Sequence, residues 1–174
     1  MGTYSKEWLT EHEWRQVKGQ VLNRQGQNTA WRDELMLKTL YNGAFRVSEL
    51  VGNKSEKDPG ETYQKPVMWT DDYEEEIEKD VDGNIDRRRY YVVIRTSKTT
   101  DDTELQPLNA ELYRETKRFM EAKNSSTRIV FDNGRGSSLS RQRVNDILQD
   151  YVDEAGIEKK VGSHTLRRSR AKHL

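Results

Sequence analysis

His164 and Arg167 stand three residues apart in Ser163-His164-Thr165-Leu166-Arg167-Arg168, where the chain reads as the opening of a helix with Ser163 as N-cap just after Gly162. Positions three apart share a helical face, so the imidazole and the guanidinium point the same way. A helix N-terminus favours negative charge, and this pair of donors suits a phosphate. The plainer alternative for so short a pattern is a basic, solvated terminal helix. A second arginine, Arg46, lies far upstream in Gly43-Ala44-Phe45-Arg46-Val47-Ser48-Glu49-Leu50. It follows a helix-ending glycine, a placement that can hold a side chain in a cleft. Its plain reading is a salt bridge to Glu49, worth only about 0.2–0.5 kcal/mol when exposed. The same carboxylate can instead orient a phosphate-binding arginine. Lys98, in the polar run from Arg95 to Thr103, belongs at the tip of a β-hairpin, where a lone lysine is ordinarily surface decoration.

Together these residue types match the electrostatic needs of phosphodiester cleavage by a side-chain nucleophile. Charge must be stabilised on the non-bridging oxygens, and a proton must reach the leaving 5′ oxygen. Arg46 and Arg167 can each grip phosphate oxygens with two parallel N–H donors, which a lysine cannot do. His164 can hydrogen-bond the phosphate or manage the nucleophile's proton, and Lys98 can protonate the leaving oxygen. Neither a metal nor a cofactor is needed, and none is expected.

The elements that must position these groups are legible in part. Thr10-Glu11-His12-Glu13 is a capping box, and Trp14, Val17 and Val21 recur at helical spacing, giving a helix over 11–23. A second helix is expected over 30–42, closed by Gly43, and a short one restarts near Val47. From Gly52 to Arg89 the pattern suggests loops around one short strand, Val67-Met68-Trp69, with Asp82-Gly83-Asn84 as a turn. Tyr90 to Ile94 is β-branched and aromatic throughout and reads as a strand that returns over 104–108. Pro107 suits the end of an edge strand. Asn109 caps a helix to about Ala122 with Leu112, Thr116, Phe119 and Met120 on its buried side. A short strand is expected over 128–131, then a turn at Asn133-Gly134-Arg135-Gly136. Ser140 opens the clearest helix, in which Val144, Ile147, Leu148, Tyr151, Val152 and Ala155 form a core-facing stripe ending at Gly156.

With 174 residues the chain suits one domain with a real core. Hydrophobic residues make up 32% and charged ones 34%, so that core must be economical and the surface densely charged. Absence of cysteine removes disulfides, thiolate nucleophiles and Cys-ligated zinc, and three histidines give no metal-ligand spacing. No apolar run approaches the roughly 18 residues that a bilayer span requires. Net charge is zero but unevenly spread: six Lys or Arg and no acid from Lys159 onward, against eight acids and one lysine from Asp71 to Asp82. A phosphate backbone meets the local field, so the basic end stays a candidate DNA surface. The acidic stretch reads as a solvated loop.

The arginine, lysine and His-x-x-Arg boxes, in this order and at this distance, resemble the catalytic boxes of the tyrosine recombinases, the phage-integrase family. The family pattern G-x-R-x-S-E is matched by Gly43, Arg46, Ser48 and Glu49 with one extra residue before the arginine. A hairpin lysine with a return strand ending in Pro-Leu is matched by Lys98, Pro107 and Leu108, and H-x-L-R by His164, Leu166 and Arg167. The resemblance implies an α+β, mainly helical catalytic domain with a small antiparallel sheet at one edge, built from residues near 67–69, 90–95 and 104–108. It implies site-specific DNA recombination or integration by metal-free strand cleavage and rejoining, with Arg46, Lys98, His164 and Arg167 catalytic and Glu49 supporting.

Two departures qualify that expectation. The family has a further His or Trp and then the nucleophilic tyrosine downstream of the second arginine, whereas no tyrosine follows Arg167 in these residues; nor is the family's N-terminal DNA-clamping helical domain expected within them. The 174 residues are therefore expected to form one integrase-type catalytic domain, incomplete at the C-terminus and inactive alone. Expected partners are double-stranded DNA and other recombinase protomers, in the cytoplasm and without a membrane. Arg46, Arg167 and His164 are expected to open onto one concave basic surface. Two other readings remain: a non-catalytic DNA-binding module that keeps the phosphate-binding surface, and a helical interaction domain with accidental motifs.

Overall fold

The computed structural model describes residues 8–23, 27–52, 54–55, 63–64, 70–95, 103–123 and 127–174. In chain order the elements are α1 (Glu11–Asn23), α2 (Gln27–Asn42), α3 (Val47–Val51), β1 (Lys54–Ser55), β2 (Tyr63–Gln64), β3 (Tyr73–Lys79), β4 (Ile85–Arg95), β5 (Thr103–Leu108), α4 (Ala110–Ala122), α5 (Arg141–Glu154) and α6 (Ser163–Lys172). This is the mainly helical α+β architecture expected, with a three-stranded antiparallel sheet in the order β3-β4-β5 and a separate β1-β2 pair.

Local signals hold where they were strongest. The capping box closes at both ends: Glu13 N–H donates to Thr10 Oγ1 at 3.2 Å, and Thr10 N–H to Glu13 Oε2 at 2.8 Å. Asn109 Oδ1 accepts from Leu112 N–H at 2.7 Å and Ser140 Oγ from Arg143 N–H at 3.0 Å, as N-caps should. The stripe of α5 is core: Val144, Ile147, Leu148, Tyr151 and Val152 are fully buried. That stripe meets α1, α3 and α6, while α2 packs on α1, α4 and α6.

Four expectations need correction. The strand expected at 67–69 lies outside the described residues, and the third strand of the sheet is β3, inside the acidic stretch read as a loop. Only Tyr73 of β3 is buried, so the strand shows no alternation of apolar and polar residues. Its glutamates are instead matched across the ladder by arginines of β4: Arg88 Nη1 meets Glu75 Oε1 at 2.7 Å, and Arg89 Nη1 meets Glu78 Oε1 at 2.7 Å. Residues 128–131 form no strand; they are held by single bonds such as Thr70 N–H to the Arg128 carbonyl at 2.9 Å and Leu139 N–H to that of Phe131 at 3.1 Å. Helix α2 starts at Gln27 and not at Ala30. Finally, the N-cap of α6 is Gly162, with Ser163 already helical and buried.

The inner face of the sheet carries Tyr73, Tyr90, Val92, Ile94 and Leu108 into the core. Tyr90 meets Tyr113 of α4 with ring centroids 4.6 Å apart. The β4-β5 register brings Arg95 opposite Thr103. Lys98 itself lies outside the described residues.

Candidate phosphate-binding site

Arg46 is delivered by a tightly specified turn. Helix α2 ends at Asn42, and Phe45 then plunges into the core at 2% exposure, which turns the neighbouring Arg46 outward. Gly43 must lack a side chain, because a Cβ there would collide with the Phe45 ring and approach the Thr39 carbonyl at 2.9 Å. The left-handed residue of the turn is Ala44, with φ of 51°, the one non-glycine positive φ among the described residues. Ala44 stands two positions before the arginine. Its left-handed backbone carries local strain just ahead of Arg46.

Arg46 takes the N-cap position of α3 with φ −78° and ψ 145°, and its side chain makes no capping bond. Serine, threonine, aspartate or asparagine would serve that position better, and a cation opposes the helix dipole there. Glu49 does not form the expected salt bridge: its Oε2 accepts from the Arg46 backbone N–H at 2.7 Å. The carboxylate fixes the backbone of Arg46 and leaves the guanidinium exposed, with no ion pair among the described residues. Sequence position alone could not separate these two uses of Glu49, since a residue three into a helix reaches both the N-cap backbone and the N-cap side chain.

On α6, Ser163, Thr165, Leu166 and Ser169 face inward, so His164, Arg167 and Arg168 are exposed together on the first two turns. No acidic residue occupies the first turn, although a helix N-terminus favours one, so this end is electrostatically suited to an external anion. The other end of the helix is anchored. Ser169 Oγ accepts from Leu9 N–H at 2.9 Å, the Tyr41 hydroxyl bonds His173 Nδ1, and the Arg170 guanidinium lies over the Tyr41 ring at 5.7 Å. Because Tyr41 sits near the end of α2, this anchor ties the helix bearing Arg167 to the helix that leads into Arg46. Burial raises the Tyr41 hydroxyl pKa despite the opposing Arg170 charge, so it remains a neutral phenol.

Elements α3 and α6 both pack on α5. Ser138, just ahead of α5, donates its hydroxyl to the Val51 carbonyl at the end of α3 at 3.0 Å. Asn145 within α5 accepts through Oδ1 from Ser163 N–H at 2.9 Å. The sequence-predicted residues Arg46, Glu49, His164 and Arg167 thus sit on two short elements sharing one supporting helix, with no direct bond between the two arginines among the described residues. Residues that hold this frame, such as Asn145, Ser138 and Tyr41, escaped sequence reasoning, because their partners lie 18, 87 and 132 positions away. The described residues hold no cluster of three or more His, Asp or Glu arranged for a metal ion. Nor is any helix among them long and apolar enough to cross a membrane.

Comparison with known proteins bears on this geometry. The family model described as the phage integrase family matches residues 78–174. The tyrosine recombinase XerD of Mycobacterium leprae is 30% identical over 143 residues, covering 82% of this chain and 39% of that protein. XerC of Pelotomaculum thermopropionicum is 31% identical over 147 residues, covering 82% and 40%. The chain therefore spans about two fifths of the length of the curated relatives it matches. Among solved structures, XerA recombinase superposes with a TM-score of 0.67 at 16% identity, covering 99% of this chain and 51% of that one. XerH site-specific recombinase bound to difH substrate in a pre-cleavage complex gives 0.65 at 19% identity, covering 96% and 42%. Those two likenesses establish the fold, and the family model, which takes in more than half of the 174 residues, establishes the lineage: this chain belongs to the phage integrase family of tyrosine recombinases.

Proposed function

We propose that this chain supplies the phosphate-activating half of a metal-free DNA breaking and rejoining site for site-specific recombination or integration. Arg46 and Arg167 grip the non-bridging oxygens of the scissile phosphate, His164 hydrogen-bonds the same group, and Lys98 protonates the leaving 5′ oxygen. Glu49 supports the site by holding the backbone of Arg46. The observation that carries this reading is the arginine at the N-cap of α3, where it serves no capping purpose, in a chain of this family that also exposes His164 and Arg167 at a helix start. The substrate is double-stranded DNA, bound alongside further recombinase protomers within the cell. The second reading, a DNA-binding module without chemistry, is favoured by the burial of Tyr41, Tyr73, Tyr90 and Tyr151 in the core.

Two measurements test the proposal. Duplex binding followed by fluorescence anisotropy across a salt series is expected to weaken steeply with salt. Arg46→Ala and Arg167→Ala should each reduce the slope of log K against log salt by about one. Unchanged slopes in both variants would refute the phosphate-binding role. Incubation with a nicked duplex carrying a recombination site should give no protein–DNA adduct on a denaturing gel, because an attacking hydroxyl must stand in line with the leaving oxygen. An adduct mapped to a tyrosine of this chain would instead assign a nucleophile within it.

A further inference from the structure

We propose that Asn145 of α5 is a positioning residue for the phosphate site, acting as the N-cap that α6 does not carry itself; this rests on the reading of His164 and Arg167 as phosphate ligands. A helix leaves its first backbone N–H groups without intrahelical partners. At the start of α6 the N-cap is Gly162, which has no side chain to accept from them. Thr165 N–H reaches back to the Gly162 carbonyl at 2.9 Å, and the Gly162 N–H is taken by Thr165 Oγ1 at 3.1 Å. The Ser163 N–H, adjacent to His164, is taken by Asn145 Oδ1 at 2.9 Å from 18 residues upstream.

A cap from within the helix would fix where α6 begins but not where it lies. A cap from α5 does both, since one bond satisfies the helix terminus and sets its distance from a neighbouring element. The same stretch of the fold holds the other arginine's helix: Ser138, two residues before the N-cap of α5, binds the Val51 carbonyl of α3. Asn145 therefore references the His164 and Arg167 turn to the frame that carries Arg46. Catalytic groups tolerate little misplacement, and a shift of about 1 Å in such a site can cost a hundred-fold in rate.

Position 162 can take a side chain. With φ −146° and ψ −179° it is plain extended backbone, which any residue adopts, so conformation does not require glycine there. What a side chain would meet is Asn145: a Cβ at position 162 would stand 3.4 Å from its Oδ1. That is ordinary van der Waals contact, so a small side chain fits beside the amide, and removal of the Asn145 amide leaves further room for a serine to cap α6 from within. The far end of α6 stays fastened by Ser169, His173 and Arg170. Loss of Asn145 should then loosen the first turn without undocking the helix.

The test combines amide hydrogen exchange at Ser163 with duplex binding at low salt. Asn145→Ala is expected to speed Ser163 exchange by about five-fold, the change in open population that loss of one cap produces, and to weaken binding through the lost tie to α5. Asn145→Ala/Gly162→Ser places a cap within the helix, on the His164 or Thr165 N–H, without the tie to α5, so Ser163 exchange should stay fast and binding should stay weak. Faster exchange with unchanged binding would overturn the positioning role. Recovery of binding in the double variant would overturn it too, because the helix would then need a cap and not the tie to α5. Should Asn145→Ala fail to fold, Asn145→Asp keeps the acceptor: Ser163 exchange must then stay at the wild-type rate, and faster exchange refutes the cap. Arg167→Ala separates the two levels. If it leaves binding unchanged, the phosphate-site reading fails; if it weakens binding while Asn145→Ala does not, only the positioning role fails.

Discussion

Replacing Tyr151 by phenylalanine removes one oxygen from the centre of the domain, and the structure says what that oxygen does. Tyr151 is fully buried on α5, and its hydroxyl donates to Asp33 Oδ2 of α2 at 2.8 Å. Asp33 is also fully buried, and its Oδ1 accepts from Arg32 Nη2 at 2.7 Å and Nε at 3.0 Å. Arg32 Nη1 continues to the Asp132 carbonyl at 3.2 Å, and the Asp132 carboxylate pairs with Lys123 Nζ at 3.0 Å. One polar chain thus ties α5 to α2 and onward to the end of α4. Phenylalanine keeps the shape of the ring, so the cavity cost is small and the loss is that of a hydrogen bond to a charged group, about 1.5–3 kcal/mol. For a chain of this size roughly 2–4 °C accompanies each kcal/mol, so Tm should fall by about 3–12 °C. Thermal unfolding followed by circular dichroism, with urea unfolding at unchanged m-value, measures it. The same substitution in an Asp33→Asn background should cost less, about 0.5–1.5 kcal/mol, because the acceptor is then neutral. A Tm shift below about 1 °C, or an equal cost in both backgrounds, would refute the assignment of a charged acceptor to this hydroxyl.

The turn before Arg46 yields a pair of opposite predictions. Gly43→Ala should destabilise by about 1–3 kcal/mol, since the new Cβ must displace a buried Phe45. Ala44→Gly should stabilise by up to about 1 kcal/mol, the relief of left-handed strain less the entropy of glycine; urea midpoints compare the two, and a shared sign would contradict the geometry. Acid sensitivity should trace in part to Glu13. Burial alone would raise its carboxyl pKa, but the hydrogen bond from Lys159 at 2.8 Å, with those from Thr10, outweighs burial and holds it below its ordinary 4.5. A depressed folded pKa contributes stability that is present above about 4.5 and is lost as pH falls through the lowered value. The Tm of Glu13→Gln should therefore converge on that of the wild type as pH drops from 5 to about 3; parallel curves would exclude the contribution.

Local pattern determined the elements whose burial is periodic and whose caps lie within three residues: the capping box at Thr10, the Asn109 and Ser140 caps, and the α5 stripe from Val144 to Val152. The order of the arginine and His-x-x-Arg boxes likewise pointed to the family by sequence alone. What only the tertiary structure decided was whatever depends on a distant partner or an unpatterned burial. Strand β3 was illegible because only Tyr73 of it is buried and its glutamates find their partners in Arg88 and Arg89 only once β4 lies beside it. The left-handed turn falls on Ala44 because Phe45 must reach the core, and no propensity places an alanine there. The cap of α6 comes from another helix, so the serine beside Gly162 was an open invitation to the wrong cap. Hydrogen bonds within a turn are written into neighbouring residue types; those between elements exist only when packing of the core has brought the elements together.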